Sequence, residues 1–148
     1  MSKKDRIRAA PDREPRAQSA ALPWRRGPDG AVEVLLITSR ETRRWVVPKG
    51  WPMKGLSLAE TAAREAFEEA GVEGVPTGKK LGVYHYDKRL RSGRLQHVRV
   101  SVYALKVTRE LEAFPEQGQR EKLWTTPAEA AGRVDEPDLA RLIAAFAG

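Results

Sequence analysis

Gly50–Val72 reads GWPMKGLSLAETAAREAFEEAGV, a loop carrying glycine and proline that runs into an alanine- and glutamate-rich segment. Ser57 and Glu60 have the spacing of a capping box, and Gly71 supplies a stop. The segment between them is therefore predicted to be helical. At about 100° per residue, Ala59, Ala62, Ala63, Ala66 and Ala70 share one face. A face without bulk lets a helix lie close on a sheet. Glu65, Glu68 and Glu69 share the neighbouring face, three carboxylates within a single turn. Like charges at this spacing repel, and they stand at the helix end where the dipole disfavours anions. A divalent cation removes that conflict, and Mg²⁺ or Mn²⁺ accepts such hard oxygen ligands. Taken alone, the same three residues also describe a solvated face, with Arg64 relieving the repulsion through Glu60 and Glu68.

On the N-terminal side, Ala31–Ser39 (AVEVLLITS) is a strongly apolar run that reads as a buried strand. A turn at Gly27-Pro28-Asp29-Gly30 separates it from a short strand over Ala20–Arg26. Trp45-Val46-Val47 is a further short β segment, cut off by Pro48, and Lys49–Gly55 reads as a loop. On the C-terminal side, Leu81–Lys88 and Leu95–Val107 read as a hairpin with Ser92-Gly93 at its tip. Leu123–Thr125 is one more short strand. Thr126-Pro127-Ala128-Glu129 opens a short helix, and Asp135–Ala147 is predicted to be an amphipathic helix with Leu139, Leu142, Ile143 and Phe146 on one side. Mixed strands and helices in this irregular order give an α+β class, with helices on the faces of a mixed sheet.

The whole chain has 148 residues, a formal net charge of +7 and no cysteine. That length is one domain, or one domain and a tail. Without cysteine there are no disulfides, thiolate metal sites or cysteine nucleophile, so any metal rests on carboxylates, imidazoles, carbonyls and water. No apolar run is long enough for a membrane helix, and the basic N-terminus lacks the apolar region of a secretory signal, so a cytoplasmic protein is expected. Residues 1–19 hold six Lys/Arg, three Asp/Glu and almost no large apolar side chain. They are expected to form a disordered basic arm, with residues 20–148 as the folded domain. A sequence pI of about 10.0 points to an anionic partner, with weak nucleic-acid contact through the arm as one form of it.

Gly50, Arg64, Glu65, Ala66, Glu68, Glu69, Gly71 and Val72 fall where the Nudix box, G-x5-E-x7-R-E-U-x-E-E-x-G-U with U apolar, has its fixed residues. The segment closely resembles that box, and the strand before it, the hairpin after it and the last helix suit the Nudix fold, an α/β/α sandwich with a mixed central sheet. One position departs: the early glutamate of the box falls on Leu56. The resemblance implies a hydrolase that cleaves a diphosphate bond with water and Mg²⁺, or Mn²⁺. It implies Glu65 and Glu69 as primary metal ligands, Glu68 beside them directly or through water, and the Gly50 carbonyl as a further ligand. Arg64 would orient Glu65 by an ion pair. The general base is Glu65 or Glu68, with Glu116 as a late-loop candidate that would alternatively bind the metal.

Trp45–Pro52 and the later Pro115-Glu116…Arg120…Trp124 resemble a bacterial branch of the superfamily similar to diphosphoinositol polyphosphate phosphohydrolases. Arg40, Arg43 and Arg44 crowd the loop before the box, and Lys88, Arg89, Arg91 and Arg94 crowd the hairpin tip. Clustered cations suit an anionic polyphosphate substrate, such as a diadenosine polyphosphate or a diphosphoinositol polyphosphate. Lys49, Arg43, Arg44, Arg99 and His97 are the candidate substrate-binding residues. Three other readings stay open at this stage: pyrophosphate removal from RNA 5′ ends, hydrolysis of nucleoside triphosphates, and a binding module without catalysis that uses its positive face to hold nucleotide or nucleic acid.

Overall fold

The computed structural model describes residues 15–148. Among them, strand β1 (Arg16–Arg26) lies at the centre of a mixed sheet. On one side it pairs antiparallel with β2 (Val32–Thr38), which carries β3 (Trp45–Val46) on its edge. On the other it runs parallel to β7 (Leu95–Glu110), from Arg16 opposite Val98 to Trp24 opposite Lys106. β4 (Lys49–Gly50) is a short addition to β1. β5 (Val72–Gly74) and β6 (Lys80–Arg89) both pair with β7, and β8 (Lys122–Thr125) pairs with β2.

The period of two along the central strands divides the core. Ala20 and Leu22 of β1, Val34 and Leu36 of β2, and Val98, Val100 and Val102 of β7 point to one face. There they meet Ala130 and Val134 from the region of α2 (Pro127–Arg133), and Leu139, Ile143 and Phe146 from that of α3 (Pro137–Ala144). Ala21, Leu35, Ile37 and Leu105 point to the other face, against Ala62, Ala66 and Ala70 of α1 (Leu58–Ala70). The result is the expected sandwich, with α1 alone on one side of the sheet. No helix among the described residues is long and apolar enough to cross a membrane.

Four expectations are corrected in detail. The expected arm runs too far: residues 1–14 lie outside the described residues, but Arg16–Ser19 belong to β1, where Gln18 and Ser19 are buried. Their partner in the ladder is more than 80 positions away, and pairing of backbones asks nothing of side-chain hydrophobicity. Lys49 and Gly50, expected in a loop, pair with Ala20 and Ser19. β5 is a strand that three residues are too few to announce. The last helix begins at Pro137 rather than Asp135, because proline fits the first helical turn, and it ends at Ala144. Phe146 lies beyond the helix yet still packs edge-on against Trp24, with ring centroids 5.5 Å apart.

Candidate active site

Helix α1 is fixed at both ends by local chemistry. Ser57 Oγ accepts from the Glu60 N–H at 3.1 Å, and Glu60 Oε1 accepts from the Ser57 N–H at 2.8 Å. At the other end Gly71 takes a left-handed conformation, φ 67°, and its Cα faces the ring of Phe114, which a Cβ would meet at 2.3 Å. The alanine face then seats the helix on β1 and β2, and the carboxylates of its last two turns arrive at the start of β4.

Glu69 is buried, accepts from the Lys49 N–H at 3.3 Å, and stands 3.8 Å from Nη2 of Arg120. Glu65 lies against the backbone of Gly50: a Cβ there would be 2.2 Å from Oε2 of Glu65. Glu65 and Glu69 stand close enough that each weighs on the other's titration. Burial, then Glu69, Glu68 and Glu116, push Glu65 up to about 9, and burial also raises Glu69 despite Arg120 and Lys49 nearby. Lys49 is lowered to about 8, by desolvation first, against the opposing pull of Glu69 and Glu136. Its ammonium lies 5.1 Å from the centre of the Tyr86 ring.

These groups line a cleft of about 1290 Å³. Its acidic lining residues are Glu41, Glu65, Glu69, Asp87 and Glu116, and Arg40, Arg44, Lys49, Lys88, Arg89, Arg91 and Arg120 also reach it. Trp51, Pro52, Met53, Leu90 and Leu95 give it an apolar wall. Of the candidate substrate-binding residues, Lys49 and Arg44 line the cleft. Arg43, Arg99 and His97 are not among its lining residues. Arg43 takes a positive φ of 57° and donates to the Gln119 carbonyl at 3.1 Å. His97 bonds Asp87 at 2.9 Å and stacks on His85, with centroids 5.1 Å apart. Arg44, although in the cleft, is paired with Asp135 and Glu136 at 3.3 and 3.5 Å.

Arg64 is corrected in its partner. Its Nε donates to Glu68 at 2.9 Å, the i, i+4 pair that helix spacing allows, and among the described residues it makes no ion pair with Glu65. Glu68 is not among the cleft-lining residues. Glu116 is, and its N–H donates to the Glu68 carbonyl at 3.0 Å, which docks the loop after β7 onto α1. Sequence reasoning named Arg120 only within the Pro115-Glu116…Arg120…Trp124 resemblance and gave it no role in the site. Its signal was there, a spacing of four from Glu116, but in a segment with no helical pattern.

The donor set fits a hard divalent cation. The half-buried carboxyl of Glu65 and the buried one of Glu69, both raised by desolvation, are a site where such an ion would take the place of protons. The bare Gly50 backbone beside Glu65 leaves room that any side chain would fill. Among the described residues no group of three acidic or imidazole side chains is already arranged to hold a metal ion. Glu68 is drawn to Arg64 and Glu116 to Arg120. Glu65 and Glu69, which stand against the backbone of Gly50 and Lys49, are the pair that would hold the ion, with water, substrate oxygen and Glu116 of the same cleft available to complete its shell.

Comparison with known proteins matches residues 15–146 to the family described as NUDIX domain. Nudix hydrolase 12, mitochondrial, of Arabidopsis thaliana is 38% identical over 102 residues, which is 67% of this chain and 50% of that protein. Diphosphoinositol polyphosphate phosphohydrolase 3-beta of Homo sapiens is 40% identical over 81 residues, 54% of this chain and 45% of that one. The chain spans about half the length of the curated relatives it matches. Among solved structures, a NUDIX hydrolase from Nitrosomonas europaea has a TM-score of 0.66 at 18% identity, covering 88% of this chain and 87% of that one. The C. elegans Ap4A hydrolase has a TM-score of 0.62 at 17% identity, covering 88% and 95%. At these identities the structural likeness is one of fold.

Proposed function

The chain belongs to the Nudix family, and on that premise we propose that it hydrolyses a diphosphate bond in a small polyphosphorylated substrate, with Mg²⁺ as cofactor. A dinucleoside polyphosphate or a diphosphoinositol polyphosphate is the substrate class that suits the cleft. The observation that carries this reading is the meeting of Glu65 and Glu69 under Gly50 on one side of a cleft that six other basic side chains reach besides Arg120. Carboxylates alone would repel a phosphate chain, and cations alone would bind it without reaction.

When bound, Mg²⁺ supplies neutralisation of phosphate charge and acidifies the attacking water. The chain's own residues do the rest. Glu65 and Glu69, once deprotonated, would hold the ion. Lys49, Lys88 and Arg91 bind phosphate oxygens along the cleft by charge-assisted hydrogen bonds. Arg64 keeps Glu68 turned away from the pair. Water adds its oxygen to phosphorus, the bridging bond breaks with its electrons on the leaving phosphate, and the proton of the water goes to a carboxylate. Glu65 and Glu116 line the cleft and are the bases in reach.

The test is phosphate release from a panel, with Mg²⁺ and with chelator. The panel holds diadenosine tetra-, penta- and hexaphosphate, a diphosphoinositol polyphosphate, nucleoside triphosphates and 5′-triphosphorylated RNA. Metal-dependent turnover of one of the first two classes, lost in Glu69→Gln, is the expected result. Fastest turnover of the RNA would move the assignment to RNA 5′ ends. No turnover of any compound would leave a binding module.

A further inference from the structure

Arg120 ties together three parts of the chain that meet only in the folded protein. Its side chain is 10% exposed. Nη1 donates to the Thr38 carbonyl at the end of β2, at 3.1 Å. Nε and Nη2 both donate to Oε1 of Glu116, at 3.1 and 2.9 Å. Nη2 also stands 3.8 Å from Oε1 of Glu69 on α1. Glu121, next in the chain, fixes the same point by donating its N–H to Thr38 Oγ1 at 2.9 Å and accepting the Thr38 N–H at 3.1 Å. The guanidinium therefore cannot move without moving the end of β2.

Glu116 is the group so held. It sits on a loop, where a free carboxylate would lose its rotamer freedom on joining a cation. Here the loss is already taken. The contacts of Glu116 with Arg120 and with the more distant Arg40, 3.9 Å away, all use Oε1. The second oxygen is left for another cation. A clamp needed only for the fold would have no reason to spare it, or to reach Glu69 as well.

We propose that Arg120 is a positioning residue for the divalent ion: its two-pronged grip holds the Glu116 carboxylate in the cleft it shares with Glu65 and Glu69, so that the loop presents a further ligand to an ion those two would hold. The proposal rests on the metal-dependent reading of the site. Its charge works in the other direction, because a cation near Glu69 repels an incoming ion. The grip outweighs the charge. It follows that lysine, which keeps the charge but not the planar fork, is a poor replacement.

The experiment is a Mn²⁺ titration of the full chain, with free ion read by electron paramagnetic resonance and folding checked by circular dichroism. It compares the wild type with Arg120→Met, Arg120→Lys, Glu116→Gln and the double variant Arg120→Met/Glu116→Gln. Arg120→Met and Arg120→Lys are expected to weaken Mn²⁺ binding about 10- to 100-fold. Glu116→Gln weakens it comparably, and the double variant is little weaker than either single one, because both remove the same ligand. Unchanged or tighter binding in Arg120→Met, or losses that multiply in the double variant, would overturn the proposal. If Arg120→Met does not fold, Arg120→Lys decides on the same criterion. A wild type that binds no Mn²⁺ sinks the metal-dependent reading itself, whereas binding that no Arg120 variant alters sinks this inference alone.

Discussion

Gly50 and Glu65 are in contact across the junction of β4 and α1: a Cβ on Gly50 would lie 2.2 Å from Oε2 and 2.3 Å from Cδ of Glu65. Gly50 is therefore room for a carboxyl group rather than a turn residue, since its backbone is paired in β4 with Ser19 of β1. A strand backbone and a helix carboxylate are brought together because the alanine face of α1 lets the helix lie low on the sheet.

Gly50→Ala tests that contact. The atoms that a new methyl would strike belong to the end of a flexible side chain, so Glu65 moves and the fold survives. We expect a melting temperature within a few degrees of the wild type and kcat/KM down about 100-fold, since displacements of about 1 Å at a reacting group cost that much. Thermal melts and steady-state rates on the same preparation check both halves. Unaltered rates would show that Glu65 has no fixed place in the chemistry.

Proton and cation compete for Glu65. Its pKa is raised to about 9, by burial and then by the carboxyls around it. A carboxyl raised in the folded state contributes stability that is fully present below its ordinary value near 4.5 and is lost as pH climbs through about 9. The metal-free protein should lose stability across that window. Mg²⁺ binds where the proton leaves, so its gain in melting temperature should grow with pH. Melts with Mg²⁺ and with chelator, in steps across the window, measure this. A Mg²⁺ effect that is flat with pH would separate the ion from Glu65.

The helix was legible because its determinants are local. Ser57, Glu60 and Gly71 cap the helix through partners within five residues, and the alanines and glutamates sort by period alone. The strands at the centre were legible where a continuous apolar run marks them, at Val34–Ile37, or hydrophobic alternation, at Val98–Val102. Arg16–Ser19 were not, since their ladder is set by β7, far along the chain. His97 and Arg99 were candidates for substrate contact, but nothing local to β7 could say that the cleft would form elsewhere. Arg120 escaped for the same reason: its partners Thr38, Glu69 and Glu116 come from three separate elements.

The seat of α1 makes a further prediction about stability. Ala66 is fully buried between α1 and the sheet, with Ala62 and Ala70 beside it. Ala66→Leu adds volume where the backbones are closest, and overpacking of this kind costs about 1–3 kcal/mol. Ser57→Ala removes the cap and costs about 1 kcal/mol. Urea unfolding should show both losses. Only Ala66→Leu should also reduce turnover of folded protein, because it lifts Glu65 and Glu69 from their place while the lost cap leaves the far turn unmoved.

Lys49 should trade stability for function. Desolvation lowers its pKa to about 8 in spite of Glu69 and Glu136, so at neutral pH the protein carries its charge at a cost. A base lowered in the folded state contributes stability present above its ordinary value of 10.5 and lost as pH falls through about 8. Lys49→Met should therefore raise the melting temperature of the substrate-free, metal-free protein at neutral pH. The same change removes a cation that faces the phosphate chain. Hydrogen bonds to charged groups are worth about 1.5–3 kcal/mol. That corresponds to a fall in kcat/KM of about 10- to 100-fold. Melting temperature and kcat/KM measured together at neutral pH decide the matter. A variant both less stable and fully active would place Lys49 in the fold and outside the reaction.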